Sequence, residues 1–179
     1  MLYAFGFERY GVVISDTYFI DPNPTKGQEG AEHGVRLELR VLDRGDLKGS
    51  IYSAQPIGVD QPIWRVDLLE SVDGKPGSYD RTHHHPAFTG WEPGHRVFAR
   101  ELSADPLGWL EAQLTDLPAV LDRAGLEPHP GDAADAGALR TRTPEILDAV
   151  KRMLEGVRDG TLAVPPADVD PGNARVGWL

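Results

Sequence analysis

Apolar and polar residues alternate one for one through much of the first hundred positions. Residues 35–42 are the clearest stretch. Val35, Leu37, Leu39 and Val41 share one face, and Arg36, Glu38 and Arg40 share the other. A period of two with charge on one face predicts a half-buried antiparallel strand. Residues 11–20 (GVVISDTYFI) are rich in β-branched and aromatic side chains and stop at Asp21-Pro22-Asn23-Pro24, which predicts a strand closed by a breaker. Residues 25–34 read as a polar loop, and residues 43–49 and 73–77 as turns. Residues 50–59 and 63–72 predict two further strands joined by Asp60-Gln61-Pro62. In the second, Trp64, Val66, Leu68 and Val72 face one way and Arg65 and Asp67 the other. Residues 78–88 (SYDRTHHHPAF) begin as a strand and leave it at Pro86, residues 89–94 (TGWEPG) form a loop, and residues 95–102 predict a last strand.

The period then changes. Asp105 is placed to cap a helix, with Pro106 at its first position, where a missing N–H costs nothing. Leu107, Leu110, Leu114, Leu117 and Leu121 recur at helical spacing, Pro118 predicts a kink, and Gly125 an end. Residues 127–137 have the composition of a linker. A second helix is predicted from Thr143 and Pro144, with Ile146, Leu147, Val150, Leu154 and Val157 as its apolar stripe. The resulting expectation is α+β. A curled antiparallel sheet of five or six strands lies within residues 2–102, followed by amphipathic helices over 105–125 and 143–160. These make one domain, residues 1–160, with an extended C-terminal tail over 161–179 that Trp178 and Leu179 can anchor.

Composition narrows the function mainly by exclusion. The chain has 179 residues, 40% of them hydrophobic, which suffices for one ordinary core. Its net charge is −10 and no Lys/Arg block stands out, which argues against general binding to nucleic acid or anionic lipid. There is no cysteine, hence no disulfide and no thiolate nucleophile. The N-terminus lacks a basic segment followed by an apolar run, and no stretch approaches the roughly 20 apolar residues that span a bilayer. A soluble, cytoplasmic protein is expected, with its oligomeric state left open. P-loop, dinucleotide-binding, GxSxG and HExxH signatures are absent.

Four of the six histidines fall within thirteen residues: His83, His84, His85 and His95. In a strand His83 and His85 project to one face and His84 to the other, where it reads as a surface or packing residue. Two imidazoles on one face, with Glu92 and His95 folded back by the intervening loop, form a ligand set for zinc, iron, manganese or nickel. Asp80, Arg81 and Trp91 are candidate walls of a pocket beside it. The leading expectation is therefore a His/Glu metal site at His83, His85, Glu92 and His95, serving a metal-dependent enzyme on a small molecule. Two other readings stand beside it. One is a protein-interaction module that uses the charged sheet face and the PPADVDPG segment of the tail. The other is metal-free acid–base cleavage of a phosphodiester, with Arg81, Arg96 or Arg100 holding the phosphate. The polar row Arg36, Arg40, Arg65 and Asp67 is read either as a solvated face with cross-strand ion pairs or as the floor of a concave site.

The spacing of Gly77, five residues, then His83-x-His85 resembles the opening of the first cupin motif, which implies two metal ligands on a strand. The Glu that follows there after three or four residues comes here after six, as Glu92, and the second cupin motif is not matched. The stretch from Tyr79 to Pro86 is similar to the His-rich segment of TumE-like toxins of bacterial toxin–antitoxin pairs, which implies a toxin-like activity.

Overall fold

In a computed structural model, which describes residues 1–165, five strands form one antiparallel sheet. They are β1 (Leu2–Gly6), β2 (Tyr10–Ile20), β3 (Ala31–Arg44), β4 (Ile57–Ser71) and β5 (His83–His85), each beside its neighbour in sequence. A small hairpin, β6 (Phe88–Thr89) with β7 (Glu92–Pro93), follows. Four helices follow among the described residues: α1 (Arg100–Ala104), α2 (Pro106–Thr115), α3 (Leu117–Arg123) and α4 (Asp132–Arg158). This is the α+β arrangement that the change of period predicts. Among the described residues no helix is long and apolar enough to cross a membrane.

The helices cover the apolar face of the sheet. Alternation places Val12 and Ile14 of β2, Val35, Leu37 and Leu39 of β3, and Trp64, Val66 and Leu68 of β4 on that face, all buried. They pack against leucines of α1 to α3 and the stripe Ile146, Val150 and Met153 of α4. Burying one such side chain contributes roughly 1.5–3 kcal/mol. Trp109 of α2 stacks on Trp64 (6.1 Å) and lies 5.0 Å from His84, which thus serves packing as its position on the strand predicts.

Several boundaries differ from the sequence reading. Asp60-Gln61-Pro62 does not join two strands; β4 runs straight through it. Pro62 lies opposite Arg40, where the β3–β4 register shifts, and an irregularity is where a sheet tolerates a residue without an N–H. The segment before β4, including Ile51 and Tyr52, is exposed and outside the sheet. Residues 95–102 do not make a sixth strand. One bridge, His84 to Val97, is formed before α1 begins and buries Leu102. Without that strand the sheet stays open, with β1 and β5 at its edges, rather than curled.

The first helix breaks where the sequence predicts. Asp105 caps α2 through Gly108 N (3.0 Å), and Asp116, just before Pro118, caps α3 through Ala119 N (3.3 Å). The last helix starts eleven residues early, at Asp132, and takes in the segment read as a linker. Tertiary contact decides this. The Asp135 carboxylate accepts the backbone N–H groups of Glu8, Arg9 and Tyr10 (2.9, 2.9 and 3.1 Å), which ties the β1–β2 turn to the helix. Thr143 is consequently no cap; its hydroxyl donates to the Leu139 carbonyl inside the helix (2.9 Å). At the far end Ala163 N donates to Asp16 (2.7 Å), and the tail from residue 166, with Trp178 and Leu179, lies outside the described residues.

Candidate metal centre

The face of the sheet away from the helices is polar, but it is not solvated. Arg36, Glu38, Arg65, Asp67, His83 and His85 are all buried. Strand register arranges them in two adjacent rows. Arg36, Asp67 and His83 lie directly opposite one another across β3, β4 and β5, and so do Glu38, Arg65 and His85. Each β3–β4 step pairs opposite charges, the favourable cross-strand combination. The cover comes from the chain after β5 and from the β2–β3 loop. Phe98 lies 5.4 Å from the His83 ring, and Phe88 lies 6.3 Å from His85. Arg81 holds the loop down by donating to the carbonyls of Gly27 (2.7 Å) and Glu29 (3.3 Å).

Within these rows Asp67, His83 and His85 each offer one ligand atom, and these atoms lie within 4.8 Å of one another. Backbone carbonyls set the tautomers. His83 Nδ1–H donates to Arg81 O (2.8 Å), and His85 Nδ1–H donates to Gly94 O (2.7 Å). A carbonyl only accepts, so the proton of each neutral ring is on Nδ1 and each Nε2 is an acceptor with one lone pair. Those lone pairs face Asp67 Oδ2 at 3.4 Å from His83 and 3.6 Å from His85. Asp67 Oδ2 is buried with no hydrogen-bond partner among the described residues.

The charges follow from the surroundings. Burial pushes the Asp67 carboxyl up, but the Arg36 and Arg65 guanidinium groups and His83 outweigh it and hold it well below the usual carboxylate range. Burial lowers His83 despite the nearby carboxylate. Burial, reinforced by Arg65, brings His85 down to about 4. At neutral pH the cluster is one carboxylate and two neutral imidazoles, the protonation states that metal ligation requires. Donors about 2.0–2.2 Å from a tetrahedral ion lie about 3.3–3.6 Å from one another. The Asp67–His83 and Asp67–His85 separations, 3.4 and 3.6 Å, fall in that range.

Two guanidinium groups attend the carboxylate. Arg36 Nε donates to Asp67 Oδ1 (2.6 Å), which fixes the carboxyl plane and leaves Oδ2 toward the histidines. Arg65 Nε lies 3.1 Å from Oδ2, and Arg65 Nη2 donates to His85 Nε2 (3.1 Å).

Of the residues singled out in the sequence, the structure brings His83 and His85 together. Glu92, on β7, and His95, just after it, are exposed and do not join the converging group. The loop between them does fold back, but it supplies the Gly94 carbonyl rather than their side chains. Asp80 pins the β4–β5 turn through Ser71 N (2.9 Å), Ser71 Oγ (2.8 Å) and Ser78 Oγ (2.9 Å). Trp91 is exposed, with the Arg40 guanidinium 5.3 Å from its ring. Arg96 lies near Asp21 and Gln28, Arg81 is bonded to the β2–β3 loop, and Arg100 is exposed on α1. The member of this group that the sequence does not single out as a candidate ligand is Asp67. The signal for it was present: a hairpin folded symmetrically about Lys75 sets residue 67 against residue 83. Compared with models of known protein families, with curated proteins and with solved structures, the chain matches none.

Proposed function

We propose that Asp67, His83 and His85 bind one divalent transition metal ion and that the protein is a metal-dependent enzyme acting on a small molecule. One observation carries this reading. Two imidazoles with their tautomers fixed by carbonyls direct their Nε2 lone pairs toward an ionised carboxylate oxygen, 3.4 and 3.6 Å away, in a group of three ligand atoms that lie within 4.8 Å of one another. The donor set of two imidazoles and one carboxylate suits zinc, iron, manganese or nickel. Three protein ligands leave a coordination position for water or substrate, and the ion there acts as a Lewis acid or lowers the pKa of bound water. This chain supplies the orientation. Arg36 holds the carboxylate, the Arg81 and Gly94 carbonyls hold the rings, and Phe88 and Phe98 limit the access of water.

Elemental analysis of tag-free protein after loading with each of the four metals tests the binding. About one equivalent is expected, lost on His83→Ala/His85→Ala substitution. No retained metal, together with an unchanged melting temperature on metal addition, would contradict it. The open position is tested separately with Co(II)-loaded protein. Its visible bands are expected to shift on adding azide, and bands indifferent to added anions would remove the enzymatic part of the reading.

A further inference from the structure

An imidazole Nε2 has a single lone pair in the ring plane. On His85 that lone pair accepts the Arg65 Nη2 proton at 3.1 Å. The same guanidinium lies 3.1 Å from Asp67 Oδ2. It therefore lies against two of the three ligand atoms of the proposed centre. His85 can give its lone pair to Arg65 or to a metal ion, and not to both.

The surroundings give Arg65 somewhere to go. Its Nη1 is 3.8 Å from Glu38 Oε1, on the residue directly opposite in β3. The guanidinium carbon lies 5.5 Å from the centroid of the Phe88 ring, an aromatic face across which a planar guanidinium can move while staying desolvated. Arg36 is differently placed. It donates to Asp67 Oδ1, the oxygen turned away from the histidines, and can stay there in either state.

We propose that Arg65 is an intramolecular competitor for the metal, covering His85 Nε2 and Asp67 Oδ2 and moving to Glu38 when an ion binds. This rests on the metal-binding reading above and assigns Arg65 as the residue that sets the affinity and selectivity of the centre. An ion with a strong preference for imidazole displaces the guanidinium. Magnesium and calcium, which prefer oxygen and gain little from imidazole, do not. The side chain thus screens out the abundant hard cations.

Calorimetric titration of zinc chloride, and separately of magnesium chloride, into wild type, Arg65→Met and Arg36→Met tests this. Urea unfolding of each variant confirms that it folds. Arg65→Lys, which keeps the charge but lacks the planar fork, serves as a second variant should Arg65→Met fail to fold. Zinc is expected to bind Arg65→Met at least about tenfold more tightly than wild type (about 1.4 kcal/mol) and Arg65→Lys with intermediate affinity. Arg36→Met, which removes an equal charge without freeing a ligand atom, is expected to show no comparable gain. Magnesium is expected to give no heat with wild type. Zinc binding equally to wild type and Arg65→Met would overturn the role of Arg65 and leave the metal reading standing. Equal tightening by Arg65→Met and Arg36→Met would also overturn it, as an effect of bulk charge. Zinc binding only to Arg65→Met would support Arg65 as the occupant and refute metal binding by the wild type. Zinc binding to none of the proteins would overturn both.

Discussion

Asp67→Asn is the most informative single change for the energetics of the buried charged face. The substitution keeps shape and volume, so no cavity forms, and removes one negative charge. That charge is 1% exposed, with Arg36 Nε at 2.6 Å and Arg65 Nε at 3.1 Å. A pair of unit charges about 3 Å apart interacts by roughly 5 kcal/mol at an effective dielectric constant of about 20. Much of the gross attraction of such pairs is offset by the desolvation of each ion. The measured cost of removing one partner of a buried pair is about 3–5 kcal/mol, because the other is left uncompensated. Here Arg36 and Arg65 both lose this partner, and Glu38 still compensates Arg65 in part at 3.8 Å. A loss of about 3–5 kcal/mol is therefore expected, a large share of the roughly 5–15 kcal/mol that a domain has. Urea unfolding followed by circular dichroism, with EDTA present to exclude any metal contribution, is the assay. With a slope near 2 kcal/mol per molar urea the midpoint is expected to fall by about 1.5–2.5 M at unchanged slope. A loss below about 1 kcal/mol, the size of an exposed ion pair, would refute the reasoning.

Three further outcomes follow from other parts of the molecule. His85 titrates near 6.5 when unfolded and about 4 when folded, so the folded state holds fewer protons between those values, and stability is expected to fall as pH drops from 6.5 toward 4. The slope contributed by this group approaches about 1.4 kcal/mol per pH unit. Asp67 acts lower on the scale: its contribution is present above 3.8 and is lost as pH falls below it. A midpoint change between pH 7 and pH 5 in EDTA that is the same for wild type and His85→Asn would contradict the neutral, buried histidine. Asp135→Ala strips three backbone N–H groups of their acceptor and is expected to cost about 3 kcal/mol, with faster hydrogen exchange at residues 8–10; unchanged exchange there would show that the contact does not anchor the turn. Gly34→Ala places a methyl group 2.1 Å from the Leu68 carbonyl oxygen, at a residue with φ of +155°. It is expected to destabilise by at least about 2 kcal/mol or to prevent folding, and a melting temperature within a degree or two of wild type would be inconsistent with that contact.

Local pattern carried the fold far, because this sheet has one apolar face and its helices have one apolar stripe each. Leu37 and Val66 were placed on the core face by alternation alone, and Asp105 and Pro106 marked the start of α2 by cap chemistry. The misplacements share a cause. Pro62 in β4, the early start of α4 and the loss of a strand over residues 95–102 depend on contacts between segments distant in sequence: the bulge opposite Arg40, the Asp135 carboxylate under the β1–β2 turn, and the burial of Leu102. The candidate centre divides the same way. His83 and His85 fall on one face by a period of two, which one strand contains. Asp67 joins them through the β4–β5 register. Glu92 and His95 were chosen by ligand type within a loop, and loop composition does not say which atoms turn inward; here it is the Gly94 carbonyl. Of the two readings of the polar face, the solvated one does not hold, since the residues that bury it come from the β2–β3 loop and from the chain beyond β5.

The central claim is that three named atoms hold one ion. A crystal grown with zinc and recorded on both sides of the zinc absorption edge addresses it directly. The account requires one anomalous peak about 2.0–2.2 Å from Asp67 Oδ2, His83 Nε2 and His85 Nε2, with Arg65 turned toward Glu38. A zinc peak at Glu92 or His95, with none at the cluster and Arg65 still bonded to His85, would contradict it.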